Sequence, residues 1–136
     1  MADVRPLPKT LADVQHFQHP RVIERYIADH GVPHDVALLR FEGLKEFLVV
    51  CAALPGQKVA SMEIDTMWHA FLMFTRDYRT FCETYLGRFI NHEPFEKSNP
   101  AAYSTTRAFA EKTFGKLDAT VWPLQGKADC TSGCED

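Results

Sequence analysis

The chain has 136 residues, 46% of them hydrophobic and 24% charged, which suffices for one compact domain that buries a core without cross-links. A formal net charge of -3, with Lys and Arg scattered, leaves no basic footprint for a nucleic-acid backbone or an anionic membrane. The longest apolar run, Phe47 to Leu54, falls far short of the roughly 20 residues that a membrane-spanning helix needs.

Residues 1–9 carry Asp3, Arg5, Lys9 and two prolines where an export signal would be apolar, so this segment reads as loose and the protein as cytoplasmic. A helical domain is expected over residues 10–124. Its first helix begins near Thr10, presents Leu11, Val14 and Phe17, and stops before Pro20. Pro20 suits the first turn of a second helix, with Val22, Ile23, Tyr26 and Ile27 on one side and Gly31 at its end. After Pro33, Asp35 is placed to cap a longer helix that runs to about Leu54 with Phe41, Leu44, Leu48 and Cys51 at helical spacing, interrupted only by Gly43 and halted by Pro55-Gly56.

Ser61 is placed to cap a central helix that is apolar around most of its circumference, and Thr75 to cap the next. That next helix carries Tyr78, Phe81, Cys82 and Tyr85 before Gly87, and the two can equally be read as one bent helix. Residues 88–95 read as a loop that brings Phe89, Ile90 and His92 back toward the core. Ser98-Asn99-Pro100 opens a last helix to about Phe114, closed by Gly115. Residues 125–136 read as a loose, polar, cysteine-containing tail. No alternation of period two is long enough for a sheet, so the fold class is all-α, a compact single domain of five or six helices around a central apolar helix.

The chemistry-bearing residues lie in the central segment. From Met62 to Phe74 only Glu63, Asp65, Thr66 and His69 are polar. Asp65 and His69, four residues apart, stack on successive turns of one helix face, with Trp68 beside them. A carboxylate that accepts a hydrogen bond from an imidazole fixes its tautomer and frees the other ring nitrogen, as both a metal ligand and a general base require. His92 is positioned to bring a second imidazole, and Tyr78 and Cys82 complete the candidate cluster of Asp65, Trp68, His69, Tyr78, Cys82 and His92.

Two readings stay open. In the first, Asp65 and His69 form a hydrogen-bonded internal pair, with the Trp68 indole N-H joining it, in a small non-enzymatic binding or interaction module that meets a protein partner. In the second, His69, His92 and Asp65 hold zinc or ferrous iron in a metal-dependent enzyme whose open coordination position carries a reactive water. No HExxH motif is present. Cys51 and Cys82 fall within helical patterns and read as small core residues, whereas Cys130 and Cys134 sit in the tail, where redox exchange is the third function class. In a reducing compartment all four are expected as thiols. His16, His19, His30 and His34 fall near helix ends and take no assigned role, and the oligomeric state is open.

The run Ile64-Asp65-x-x-Trp68-His69, followed by Tyr78, Cys82, Gly87 and His92, resembles the signature of the glycine-rich domain-containing protein-like family, a domain of unknown function in plant proteins and small bacterial ones. Plant members carry a WHxH arrangement where this chain has Trp68-His69-Ala70-Phe71, which weakens any ligand set built on two histidines of that helix. Relatives continue into a glycine- and cysteine-rich tail, to which Cys130-Thr-Ser-Gly-Cys134 is similar. The resemblance implies a bacterial cytoplasmic protein with a helical site around Asp65, Trp68, His69 and His92, and it brings no reaction with it.

Overall fold

A computed structural model describes residues 4–124 and 131–136. The described residues are 59% helical, with six α-helices and one small sheet among them. Helix α1 (Leu11–His16) is closed at its start by a reciprocal pair, the Thr10 hydroxyl accepting from the Asp13 N-H and the Asp13 carboxylate from the Thr10 N-H. Helix α2 (Pro20–His30) starts on proline, takes its cap from the His19 ring, and ends at Gly31 in the left-handed conformation. Helix α3 (His34–Ala53) follows Pro33 directly, so Asp35 lies inside the first turn and is not the cap.

Helix α4 (Met62–Leu72) begins at Ser61, whose hydroxyl accepts from the Ile64 N-H. Two residues separate it from α5 (Thr75–Phe81), so the pair is two helices, and the position before α5 is held by Phe74, with Thr75 as the first helical residue. The same rod continues into a π-helical turn, Cys82–Leu86, and stops at Gly87 with φ of 85°. Helix α6 (Pro100–Phe114) is capped by the Asn99 side chain and ends at Gly115.

The axis of the core is α3. Its run from Phe47 to Ala53 is buried on every side, and α1, α2, α4 and α6 all pack against this helix. Burial all round a helix is the pattern of an element with neighbours on each face. Helix α4 shares this interior through Ile64, Met67, Trp68 and Phe71, while its Met62 edge faces solvent. Gly43 is what lets the layers close here, because a Cβ at this position would run into the Val121 side chain and meet Ile64 at 3.6 Å. One buried cation serves as a clamp: Lys45, on α3, donates from Nζ to the carbonyls of Gln15 and Phe17, each at 2.8 Å, and pairs with Glu42. It thereby fixes the α1–α2 connection on the core. Burial pulls the Lys45 pKa down, and Glu42 opposes that shift.

The small sheet was not expected. Strand β3 (Ser132–Cys134) lies between β1 (Lys58–Val59) and β2 (Glu93–Pro94), antiparallel to both, with Lys58 opposite Cys134 and Pro94 opposite Ser132. Strands of two and three residues are too short to print an alternation in the sequence. Gly133 sits at the middle, where a Cβ would collide with the Lys58 carbonyl, so only glycine admits this approach.

The tail is consequently held from residue 131 onward, contrary to the looseness expected of it, while Cys130 and its neighbours from 125 lie outside the described residues. Cys134 is bonded to Cys51, with Cα atoms 6.3 Å apart, which corrects the expectation of free thiols. This cross-link spans 83 residues of sequence, and closing a loop of that length stabilises the fold by about 4 kcal/mol. Asp136 adds ion pairs to Arg5 (2.5 Å), Lys58 (2.9 Å) and Arg88 (2.9 Å). Arg5 also donates its backbone N-H to the Ala53 carbonyl, and Leu7 packs on the core, so the described part of the N-terminal segment is likewise anchored.

Candidate metal centre

Asp65 and His69 project from successive turns of α4, as their spacing requires. His92 arrives from the loop after Gly87 and is aimed by two contacts. The Tyr78 hydroxyl donates to the Ile90 carbonyl at 2.6 Å and accepts from the Trp68 indole N-H at 3.0 Å, which pins the loop two residues before His92. The His92 ring then meets the Trp68 ring edge-on, with centroids 4.5 Å apart.

The result is a convergence of three ligand atoms. His92 Nε2 lies 2.6 Å from Asp65 Oδ1 and 3.0 Å from His69 Nε2, and His69 Nε2 lies 3.7 Å from Asp65 Oδ1. The last distance is too long for a hydrogen bond. The expected direct Asp65–His69 pair is therefore not formed; the partners of Asp65 are His92 and Ser132, whose hydroxyl donates to Oδ1 at 2.7 Å. Nor does the Trp68 N-H join a pair with His69, since it is spent on Tyr78.

A ring nitrogen carries either a proton or a lone pair. With His92 Nε2 protonated and donating to Asp65, the His69 Nε2 lone pair competes for the same proton, so one N-H is shared between two acceptors. A cation serves all three atoms at once. Metal–ligand bonds of about 2.0–2.2 Å place neighbouring donor atoms about 3.0–3.4 Å apart in octahedral or tetrahedral geometry; the His69–His92 separation of 3.0 Å meets that range, while the 2.6 Å and 3.7 Å separations from Asp65 lie a few tenths of an ångström to either side of it. Asp65, His69 and His92 form one ligand-competent group.

Exposure differs sharply within the triad. The side chains of Asp65 and His92 are 22% and 16% exposed, but that of His69 is 57% exposed. The cluster thus sits at the rim of the core with one open side, and the expectation that Asp65 and His69 are withdrawn together from solvent holds only for the acid. The reason is helix geometry: a helix docked by one face on α3 leaves part of its circumference to water. Burial would raise the Asp65 carboxyl, but the hydrogen bonds from His92 and Ser132 and the neighbouring imidazoles outweigh it and hold the group below its ordinary value. Asp65 is an anion ready for a cation.

Trp68, Tyr78 and Cys82 lie beneath the triad in the core. Burial pushes the Tyr78 hydroxyl far up and the Cys82 thiol up, so both stay protonated and serve as packing and hydrogen-bonding groups. Ser132 is the residue that sequence reasoning missed. Its only signal was the even count of cysteines with Gly133 beside Cys134, from which a tail returning to the core could have been drawn.

A family model described as UCP032817-like matches residues 10–116, from the first helix through the last. The family is uncharacterised, and the match does not carry the glycine-rich name suggested by the Ile64 to His92 pattern. No curated protein and no solved structure matches the chain.

Proposed function

The chain belongs to the UCP032817-like family, and on the geometry of its triad we propose that it is a mononuclear metal protein in which Asp65, His69 and His92 hold zinc or ferrous iron. The observation that carries this is the approach of two imidazole Nε2 atoms to 3.0 Å beside one carboxylate oxygen, three donor atoms converging on one point where a single His92 N-H would otherwise be shared between two acceptors. Two imidazoles and a carboxylate are the donor set of zinc and of non-haem iron rather than of calcium. Ser132 plays the outer-shell part, holding Asp65 in place.

Three protein ligands leave positions for water or a small oxygen-donor ligand, and the exposed flank of His69 gives such a ligand access. A metal there supplies Lewis acidity and lowers the pKa of a bound water, which makes metal-assisted hydrolysis the reaction class that this arrangement supports. A cytoplasmic location without nucleic-acid or membrane partners goes with this reading: the net charge is -3 and no described helix is long and apolar enough to cross a membrane.

The alternative is the non-enzymatic binding module with a protein partner, favoured by the bonds that Asp65 already receives from His92 and Ser132. The test is metal content per mole of tag-free protein by plasma mass spectrometry, followed by zinc titration. Near-stoichiometric metal, lost in His69→Ala and in His92→Ala with helicity unchanged, is the expected result. Metal-free protein that also fails to take up added zinc or ferrous iron returns the binding-module reading.

A further inference from the structure

The C-terminal strand does more than close the sheet. Ser132 touches the Asp65 oxygen that faces both histidines, and two residues later Cys134 is bonded to Cys51 in the last turn of α3. Between them Gly133 is pressed against the backbone of Lys58. A segment of three residues therefore joins a cystine to the ligand set, with no slack between the two. We propose, building on the metal reading above, that Ser132 is a positioning residue for Asp65 and that the Cys51–Cys134 bond, by holding its strand, puts metal affinity under thiol–disulfide control.

The grip on β3 divides into a covalent part and a weaker one. Without the cystine, the strand keeps its short ladders to β1 and β2 and the Asp136 ion pairs, two of them with the partly exposed Arg5 and Arg88 and one with the buried Lys58. Gly133 adds no side chain to the packing. Opening the bond therefore frees the strand carrying Ser132, while α4, which carries both Asp65 and His69, keeps its own core. In a cytoplasmic protein, a cystine of this kind is one that forms and breaks with redox conditions.

The chemistry is thiol–disulfide exchange with a dithiol reductant. A thiolate of the reductant attacks Sγ of Cys134, forming a mixed disulfide and expelling Cys51 as a thiolate that takes up a proton. The reductant's second thiol then displaces Cys134 and leaves as part of a disulfide. Two electrons and two protons have moved to Cys51 and Cys134, and the reductant is oxidised by the same amount. Cys134, 5% exposed, is the less enclosed end: it lines a cavity of about 60 Å³ beside Arg88 and Asp136, whereas Cys51 is fully enclosed in α3.

The experiment measures zinc affinity by competition with a chromogenic chelator, in the oxidised protein, after reduction with a water-soluble phosphine, and in Cys134→Ser, Ser132→Ala and Ser132→Thr. Reduction and Cys134→Ser are each expected to weaken zinc binding about 10-fold or more, the usual effect of losing an outer-shell partner. Ser132→Ala should match that loss with its cystine intact and should respond no further to reduction, and Ser132→Thr, which keeps the hydroxyl, should recover most of the affinity. Reoxidation should restore the starting value, with far-UV circular dichroism constant throughout.

Equal affinities in the two redox states, or a Ser132→Ala protein that binds as tightly as the parent, overturn the proposal while leaving the metal reading intact. Loss of helicity on reduction assigns the bond to global stability and overturns it as well. Zinc failing to bind in either redox state removes the metal reading itself, and the redox control falls with it.

Discussion

Replacing Tyr78 with Phe removes one oxygen and leaves two buried groups unsatisfied. The Trp68 indole N-H, donated to that oxygen at 3.0 Å, and the Ile90 carbonyl, which accepts from it at 2.6 Å, both lie where water does not reach. An unpaired buried polar group costs about 1–3 kcal/mol, and the desolvation of the hydroxyl itself is recovered in the variant, so the net loss is about 2–4 kcal/mol. Set against a total stability of about 5–15 kcal/mol for a domain of this size, that is a large fraction. With a urea m-value of about 2 kcal/mol/M, the midpoint of unfolding should fall by about 1–2 M. The assay is equilibrium urea unfolding followed by tryptophan fluorescence and far-UV circular dichroism. Tyr85→Phe is the matched control, because the Tyr85 ring packs on Phe17 and Phe81 and the substitution keeps both contacts. A midpoint shift in Tyr78→Phe no larger than in the control would refute the idea that this hydroxyl joins the core to the loop before His92.

Gly133→Ala places a Cβ against the Lys58 carbonyl, and the expected outcome is displacement of β3, read as fast amide exchange at residues 132–134 with the helices still protected. Lys45→Met keeps most of the volume but orphans the carbonyls of Gln15 and Phe17, so a loss of about 2–3 kcal/mol is expected in thermal or urea unfolding. The Arg5 hydrogen bond, assisted by Lys58 and Arg88 and opposed by desolvation, holds the Asp136 carboxyl well below the usual range. A depressed folded-state pKa means that its contribution is complete above the unfolded value of about 4 and is lost as pH falls toward the folded value, so amide exchange in β3 should rise under acid before the helices melt. Asp65→Asn keeps the shape but removes the anion, and zinc titration should show at least a 10-fold weaker site.

The helices were legible because their signals are local. Thr10, Pro20, Gly31, Ser61, Pro100 and Gly115 act within a turn of the element that they begin or end, so the sequence carries them at fixed offsets. Caps shifted by two residues at Pro33 and by one at Phe74, where proline or an aromatic residue took the position. The triad was half legible: the spacing of Asp65 and His69 follows from the pitch of α4, and the return of His92 from the break at Gly87. The partner of Asp65 was not legible. Ser132 reaches it from 67 residues away through a strand of three residues, and neither periodicity nor composition records a contact of that range. The cystine was hidden for a related reason, since the helical spacing of Cys51 is equally that of a small apolar side chain, and the choice between thiol and bridge lies in the course of a distant tail.

The order of the sheet bears on how the molecule is made. Its two flanking strands are not neighbours; each pairs only with the segment that comes after both of them in the chain. As the polypeptide leaves the ribosome, the helical layers can dock early, but Lys58–Val59 and Glu93–Pro94 must wait with open edges until Ser132–Cys134 emerges. A nascent chain therefore passes through a stage in which the helices are packed and the hydroxyl that steadies Asp65 has not yet arrived. Maturation of the ligand set is in this way deferred until after the helices have docked.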